Sequence, residues 1–258
     1  VTLLMRAMLF ALAWLLASVA QAAPAKAYLT LIIDDLGQNV ARDNQVLALP
    51  GPVTLAIMPD TPHATTFARQ GHAAGKTVIL HMPMDPATGP YAWHPGLPTA
   101  TLATRLANAL DKVPFAAGIN NHMGSRMTSQ PEAMTGLMED LQRRGLFFVD
   151  SRTSAATVAA AKAQAIGLAH VSRDVFLDDV RTPEAIAGQL RIGIELARRQ
   201  GSAVLIGHPY PQTLEVLERE LPRLKGQGIE WIEIHQMIAQ RSNLAMPAHG
   251  KQGRSAGR

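Results

Sequence analysis

Short, uninterrupted apolar runs alternate with longer helical stretches along most of the chain, and this alternation restricts the fold more than any other feature. The runs lie at residues 28–33, 53–57, 77–80, 116–119, 146–149, 168–171, 203–206 and 229–232. A strand wet on one face alternates polar and apolar residues. These runs do not, so each is expected to be covered on both faces, as in a parallel sheet with helices packed against it. Helices are expected over 61–74, 99–111, 131–144 and 183–200. Two of them open on capping signatures, Ser129-Gln130-Pro131-Glu132 and Thr182-Pro183-Glu184. Gly75, Gly145, Gly167 and Gly201 each stand between a helix and the next run, where a left-handed cap is needed. Repeated βα units without a break in composition read as one α/β domain. Seven or eight strands favour a closed or nearly closed barrel over an open sheet.

The ends of the chain differ from its middle. Residues 7–20 are apolar and uncharged, follow Arg6, and lead into Ala20-Gln21-Ala22. That run is shorter than the ~20 residues a membrane span requires. A secretory signal peptide over residues 1–22 is expected, with cleavage near Ala22/Ala23 and an uncleaved anchor as the alternative. The destination is then periplasmic or secreted, and any membrane contact runs through an uncleaved signal segment. The barrel domain is expected over 23–241. From Ser242 to Arg258 the chain turns to Pro, Gly, Ser and basic residues and reads as a flexible tail. The net charge of +4 comes without a basic stripe, so no nucleic-acid partner is expected. The chain has no cysteine, which excludes disulfides, thiolate nucleophiles and cysteine zinc sites.

Polar residues follow the apolar runs closely. They are Asp34-Asp35, Pro59-Asp60, His81, Asn120-Asn121-His122, Asp150-Ser151-Arg152, Ser172-Arg173-Asp174 and Gly207-His208-Pro209. In a βα barrel the carboxyl ends of the strands share one rim, and active sites lie there. Each group alone has an ordinary explanation as a turn, a cap or a hydrogen-bonded rim residue; their coincidence on one rim points to chemistry. A mixed His/Asp set without cysteine suits Zn²⁺ or a similar divalent ion and leaves positions open for a nucleophilic water. One carboxylate of the Asp pair is then spare as a general base. It faces the other way, however, unless the strand end is distorted. His63, His72, His94 and His249 are expected at the surface, and His170 and His235 to be structural. Met82, Met84, Met123, Met127, Met134 and Met138 are expected mostly to fill the core. No Gly-x-Ser-x-Gly elbow, Walker loop or dinucleotide turn is present. A serine hydrolase using Ser125 or Ser151 and a glycosidase pairing Asp34 with Asp150 or Asp174 stay open as lesser readings.

The string Leu31-Ile32-Ile33-Asp34-Asp35-Leu36-Gly37 resembles the first motif of the metal-dependent polysaccharide deacetylases, and specifically of their divergent bacterial branch. Supporting segments are Ile57-Met58-Pro59, His81-Met82-Pro83-Met84, the stretch from Gly118 to Ser125, Phe148-Val149-Asp150-Ser151-Arg152-Thr153, and Gly207-His208-Pro209. The resemblance implies a distorted (β/α)7-8 barrel and metal-assisted removal of acetyl groups from amino sugars. It makes Asp34 the general base, Asp35 and His81 metal ligands, and His208 the proton donor to the leaving amine. Asp174 and Asp178 fall near the motif whose Asp orients that machinery. Two departures stand out. Asp85 occupies the place of the second His in the family's His-x-x-x-His motif, and Asn120-Asn121-His122-Met123 replaces its Arg-Pro-Pro-Tyr loop. His122 is therefore expected as the third ligand, with Asp85 the weaker option.

The expected protein is a metal-dependent carbohydrate de-N-acetylase, the ion being zinc or similar and the substrate an acetylated amino sugar of an envelope glycan. Asn120, Asn121, Asp150, Arg152 and Asp174 are expected to support the site. Tyr91 and Trp93, in the Pro/Gly-rich loop after the third run, either stack on a sugar ring or fold over with their rings buried. The rivals are a non-catalytic periplasmic barrel that binds a glycan or a protein, and a metal-dependent hydrolase of peptides or esters.

Overall fold

A computed structural model of the protein describes residues 26–245. The signal segment expected over 1–22 lies outside the described residues. The last helix runs through Ala245 and so takes in the first four residues of the expected tail; residues 246–258 also lie outside the described residues.

The strands are β1 (Ala27–Leu36), β2 (Val53–Ile57), β3 (Val78–Met84), β4 (Gly118–Met123), β5 (Phe147–Asp150), β6 (His170–Ser172), β7 (Val175–Phe176), β8 (Ser202–Gly207) and β9 (Ile229–Trp231). The helices are α1 (Val40–Ala48), α2 (Ala64–Ala73), α3 (Thr99–Lys112), α4 (Pro131–Arg144), α5 (Ala159–Ala165), α6 (Pro183–Gln200), α7 (Pro211–Glu220) and α8 (Ile234–Ala245). Hydrogen-bonded strands run β6-β5-β4-β3-β2-β1-β8-β7, every pair parallel. This is a distorted (β/α) barrel of the expected type, open between β6 and β7.

The open seam is bridged by the two residues that join its edges. The Arg173 amide donates to the Asp150 carbonyl and the Asp174 amide to that of Val204, both at 2.9 Å. From α8, Arg241 pairs with the Asp174 carboxylate and donates to the Ser172 carbonyl and Ser202 Oγ, each at 3.2 Å. Asp174 is thus a seam residue, and the expectation that it supports the site is corrected. The run at 229–232 is not a barrel stave either, because β9 pairs only with the start of β1. The eighth stave is β7, too short to show as an apolar run.

Alternation along the strands explains the two layers of core. Leu29, Leu31 and Ile33 of β1 face the helices, in a cluster with Leu55, Leu80, Phe148 and Leu205. Ile32, Ile79, Val149, Val204 and Ile206 face the barrel interior, which Ile234, Met237 and Ile238 of α8 plug from below. Side chains two residues further along the inward face stand above that plug. They are Asp34 above Ile32, His81 above Ile79 and His208 above Ile206. On β4, Asn120 and His122 follow Gly118, whose missing side chain is required because a Cβ would lie 2.4 Å from the Phe147 ring.

The helix caps follow the sequence in part. Thr182 Oγ1 accepts from the Ala185 amide at 3.2 Å, and Gly145 and Gly201 end α4 and α6 in the left-handed region. Ser129 does not cap α4; its hydroxyl donates to the Arg126 carbonyl at 2.8 Å.

The interior plug yields a stability prediction. Ile32→Ala, at a fully buried position, is expected to lower the unfolding free energy by roughly 2–5 kcal/mol, the usual cost of emptying a core site. Urea denaturation measures it, and a loss well below that range contradicts a packed interior.

Candidate metal centre

The inward column and one break in β1 bring the chemistry together. Register with β2 shifts between Ile33 and Leu36, and Asp35 sits at φ +57°. Asp35 therefore shares the mouth with Asp34, although consecutive residues of a regular strand face opposite ways. Gly37, at φ +101°, lets the chain turn away, since a Cβ there would lie 2.2 Å from Thr61 Oγ1. Asp43 Oδ2 accepts from the Gly37 amide at 3.1 Å, and Asn39 caps α1 by accepting from the Arg42 amide at 3.1 Å.

Three ligand atoms meet in a small triangle. His81 Nε2 lies 3.2 Å from Asp35 Oδ1, His122 Nδ1 lies 3.1 Å from the same oxygen, and the two nitrogens are 3.1 Å apart. Bonds of about 2.0–2.1 Å around a tetrahedral zinc place neighbouring ligand atoms roughly 3.3 Å apart, close to this spacing. Asp35 Oδ1 is buried without a hydrogen-bond donor in good geometry. An orphaned oxygen facing two ring nitrogens is what a cation site looks like, so the residues present fit a divalent ion. Both His rings come from β3 and β4, which pair in register (His81 with Asn120, Pro83 with His122).

Two further groups flank the triangle. Asp34, 2% exposed, places Oδ2 3.7 Å from His81 Nε2 and receives the Asn120 amide on Oδ1 at 2.8 Å. Across the mouth, His208 Nε2 lies 3.8 Å from Asp35 Oδ2. Asp178 holds the other side of that ring, with Oδ1 2.8 Å from Nδ1; its Oδ2 accepts from the His208 amide at 2.6 Å and from Thr213 Oγ1 at 2.8 Å. Phe176 stacks on the His208 ring at 5.4 Å between centroids. Asp178 is therefore the residue that orients His208. It follows Val175-Phe176-Leu177 as the other site residues follow their apolar runs, and β7 is simply too short to flag it.

Burial and charge set the protonation states. Burial raises Asp34 above the usual carboxylate range, against the opposing pull of His81, His208 and Asn120. Burial would raise Asp35 as well, but the His122 and His81 rings beside it outweigh it and hold the carboxyl well below its ordinary value. For His81 burial acts downward, and the carboxylates of Asp34 and Asp35 reverse it, to about 9. Burial also opposes protonation of His208, and Asp178 with Asp34 overcomes it, leaving the ring above its usual value.

Several other expected site residues do not face the centre. Asn121 staples neighbouring loops: Oδ1 accepts from the Ser151 amide at 2.9 Å and Nδ2 donates to the Met123 carbonyl at 2.7 Å. Asp150 accepts from the Arg152 amide at 2.9 Å and from Thr157 Oγ1 at 2.9 Å, bracing the turn into α5. Arg152 is exposed, at φ +49°. Trp93, 3% exposed, lies in the core with its backbone bridged to Met84, and Tyr91 packs half-buried against the same core. The loop folds over, and stacking of Trp93 on a sugar is ruled out in this conformation. Asp85 is committed elsewhere, to His94 Nδ1 at 2.9 Å and to the Arg126 guanidinium. His94 is correspondingly half-buried, not free at the surface.

The family described as divergent polysaccharide deacetylase matches residues 31–238. The chain belongs to that family. The uncharacterized protein YibQ of Escherichia coli (strain K12) is 40% identical over 195 residues, which are 74% of this chain and 61% of YibQ. The chain thus spans about three fifths of that relative's length. The uncharacterized protein ATU2773 from Agrobacterium tumefaciens C58 has the same fold, with a TM-score of 0.79 at 22% identity over 84% of this chain and 90% of that one. A mutant of BA3943 of Bacillus anthracis, a CE4 family pseudoenzyme with restored enzymatic activity, matches with a TM-score of 0.53 at 16% identity, over 84% and 69% of the two chains. In this member of the family the set that can hold a metal draws on β1, β3 and β4.

Two measurements test the centre. The purified protein is expected to take up about one divalent ion per chain, and His122→Ala to lose it, by elemental analysis. The metal-free protein is expected to lose stability with rising pH. Protonated His81 is favoured in the folded chain, so its contribution is complete below pH 6.5 and vanishes as pH passes about 9. His208 acts in the same direction. A melting temperature that stays flat or rises from pH 6.5 to 9 contradicts this.

Proposed function

We propose that the protein is a metal-dependent hydrolase that removes acetyl groups from amino sugars of an envelope glycan. The observation that carries the reading is the Asp35-His81-His122 triangle with a buried carboxylate on one side and an Asp-paired imidazole on the other. A divalent ion, zinc suiting this donor set, supplies Lewis-acid polarisation of the acetamide carbonyl and acidifies water. Asp34, kept basic by burial, takes the water's proton as its oxygen bonds to the acetyl carbon. His208, whose protonated form Asp178 favours, delivers the Nε2 proton to the amine nitrogen as the C–N bond breaks. Acetate and a free amine leave. Carbohydrate as the substrate class is supported by the family description. An envelope location is supported by the apolar segment at residues 7–20 and the small residues after it.

One observation favours a second reading, a non-catalytic barrel that binds a glycan or a protein. Asp85 stands where the family's second His is expected, and it is bound to His94 and Arg126. Asp34→Asn separates the two. Under the hydrolase reading, acetate release from acetylated glycans falls by about 10²-fold or more with metal content unchanged. Under the binding reading the substitution leaves glycan or protein binding intact and there is no acetate release to lose. Hydrolysis confined to peptides or esters would instead leave the centre hydrolytic and overturn the sugar substrate.

The His208–Asp178 pair also sets a pH dependence. An acid works only while protonated, so turnover declines as pH rises through the His208 pKa. Asp178→Asn removes the hydrogen-bonded charge that raises it, and the alkaline limb of the rate profile is expected to move to lower pH. An unmoved limb would assign it to another group.

A further inference from the structure

We infer that Asn120 is a positioning residue that couples the metal ligand His81 to the base Asp34 through one side-chain amide. The turnover part of this inference rests on the hydrolase reading; the metal-binding part rests on geometry alone.

Asn120 is fully buried in β4. Its Oδ1 lies 2.7 Å from His81 Nδ1, and its Nδ2 lies 2.8 Å from Asp34 Oδ1 and 3.3 Å from Ser151 Oγ. The carboxylate decides which way the amide points, because the reverse orientation sets oxygen against oxygen. With the NH₂ group toward Asp34 and Ser151, the carbonyl oxygen faces His81, and an amide oxygen can only accept. As a neutral ligand, His81 therefore carries its proton on Nδ1, and its Nε2 lone pair is aimed at the triangle with Asp35 and His122. The second hydrogen bond of a ligating imidazole commonly fixes ring and tautomer in this way.

The same amide acts on Asp34. It occupies Oδ1 and leaves Oδ2 as the oxygen nearer the centre, 3.7 Å from His81 Nε2. The donor is neutral. It orients the carboxylate without bringing a second charged side chain against it.

Asn120 is not needed to hold the strands together, since its neighbour serves that purpose. Asn121 on the opposite face of β4 binds the Ser151 amide and the Met123 carbonyl, which fixes Ser151 where its hydroxyl takes the second Asn120 N–H. The Asn-Asn pair thus divides into a residue that fixes loops and one that fixes the centre.

Two variants separate coupling from space filling, each checked for fold by far-UV circular dichroism and by the melting temperature without metal. Asn120→Ala removes both contacts. Asn120→Asp keeps an acceptor for His81 Nδ1 but, at pH 8, sets a second negative charge against Asp34. Zinc affinity by chelator competition is expected to fall about 10–100-fold in Asn120→Ala, with a changed Co²⁺ absorption spectrum. Asn120→Asp is expected to keep wild-type zinc affinity or exceed it, while acetate release drops by about 10²-fold or more. A filler would weaken zinc binding in both variants alike, and that result overturns the coupling. Wild-type zinc affinity and Co²⁺ spectrum in Asn120→Ala also overturn it. Should Asn120→Ala not fold, Asn120→Asp decides: retained zinc with lost turnover supports the inference, and lost zinc overturns it. If the wild type releases no acetate from any glycan, the hydrolase reading fails, and the zinc and Co²⁺ measurements still decide the role of Asn120 toward His81.

Discussion

Consecutive residues of a regular strand face opposite sides, so Asp34 and Asp35 can serve one site only because the β1 ladder breaks between Ile33 and Leu36. The break puts Asp35 in the left-handed region, at a cost of order 1–3 kcal/mol for a residue with a side chain. The surrounding structure holds it there. β1 is bonded along its length by β2 and β8, and beyond the break the Leu36 and Gly37 carbonyls accept from the Met58 and His63 amides. Asp35 is not alone. Met123 after His122 and Arg152 after Ser151 are also left-handed, so three of the four such non-glycine residues among those described stand at strand ends around one mouth. Strain gathered where polar atoms converge fits a rigid barrel that holds reactive groups in place.

The fold was legible because its strands are buried on both faces, which leaves continuous apolar runs in the sequence. The same rule ended several strands too early. Residues 77–80 and 116–119 stop short of His81 and of Asn120-Asn121-His122, which in fact belong to β3 and β4. Polar side chains facing inward interrupt an apolar run without ending the strand, so the residues that break the pattern are the site itself. The misplacements have equally local causes. Asp174 looked like a rim residue because the chain crosses the seam there, and nothing in the sequence announces Arg241, 67 positions away, as its partner. Trp93 lies in a Pro/Gly-rich loop, where composition suggests exposure, yet backbone bonds to Pro83 and Asp85 fold it onto the core.

The departure at Asp85 bears on how the centre is built. In a His-x-x-x-His pattern two ligands come from one stretch of chain, and their spacing depends on how that stretch leaves the sheet. Here the second imidazole stands on the adjacent strand, one inward step above Asn120, the register partner of His81. The separation of the two rings is then set by the β3–β4 ladder, with centroids 4.9 Å apart. Ladder spacing varies less than loop geometry, so the sheet itself fixes the distance between the two rings. Asp85 takes on a different task. Its backbone bonds to Trp93 and Arg126, and its carboxylate to His94 and Arg126, so it clamps the loops after β3 and β4 against each other. In the proposed centre His122 takes the role that the resemblance gives to the second His of that pattern, while Asp85 secures the loops beside the mouth. The altered motif thus leaves the triangle of candidate ligands complete, with Asp34 and His208 on either side of it.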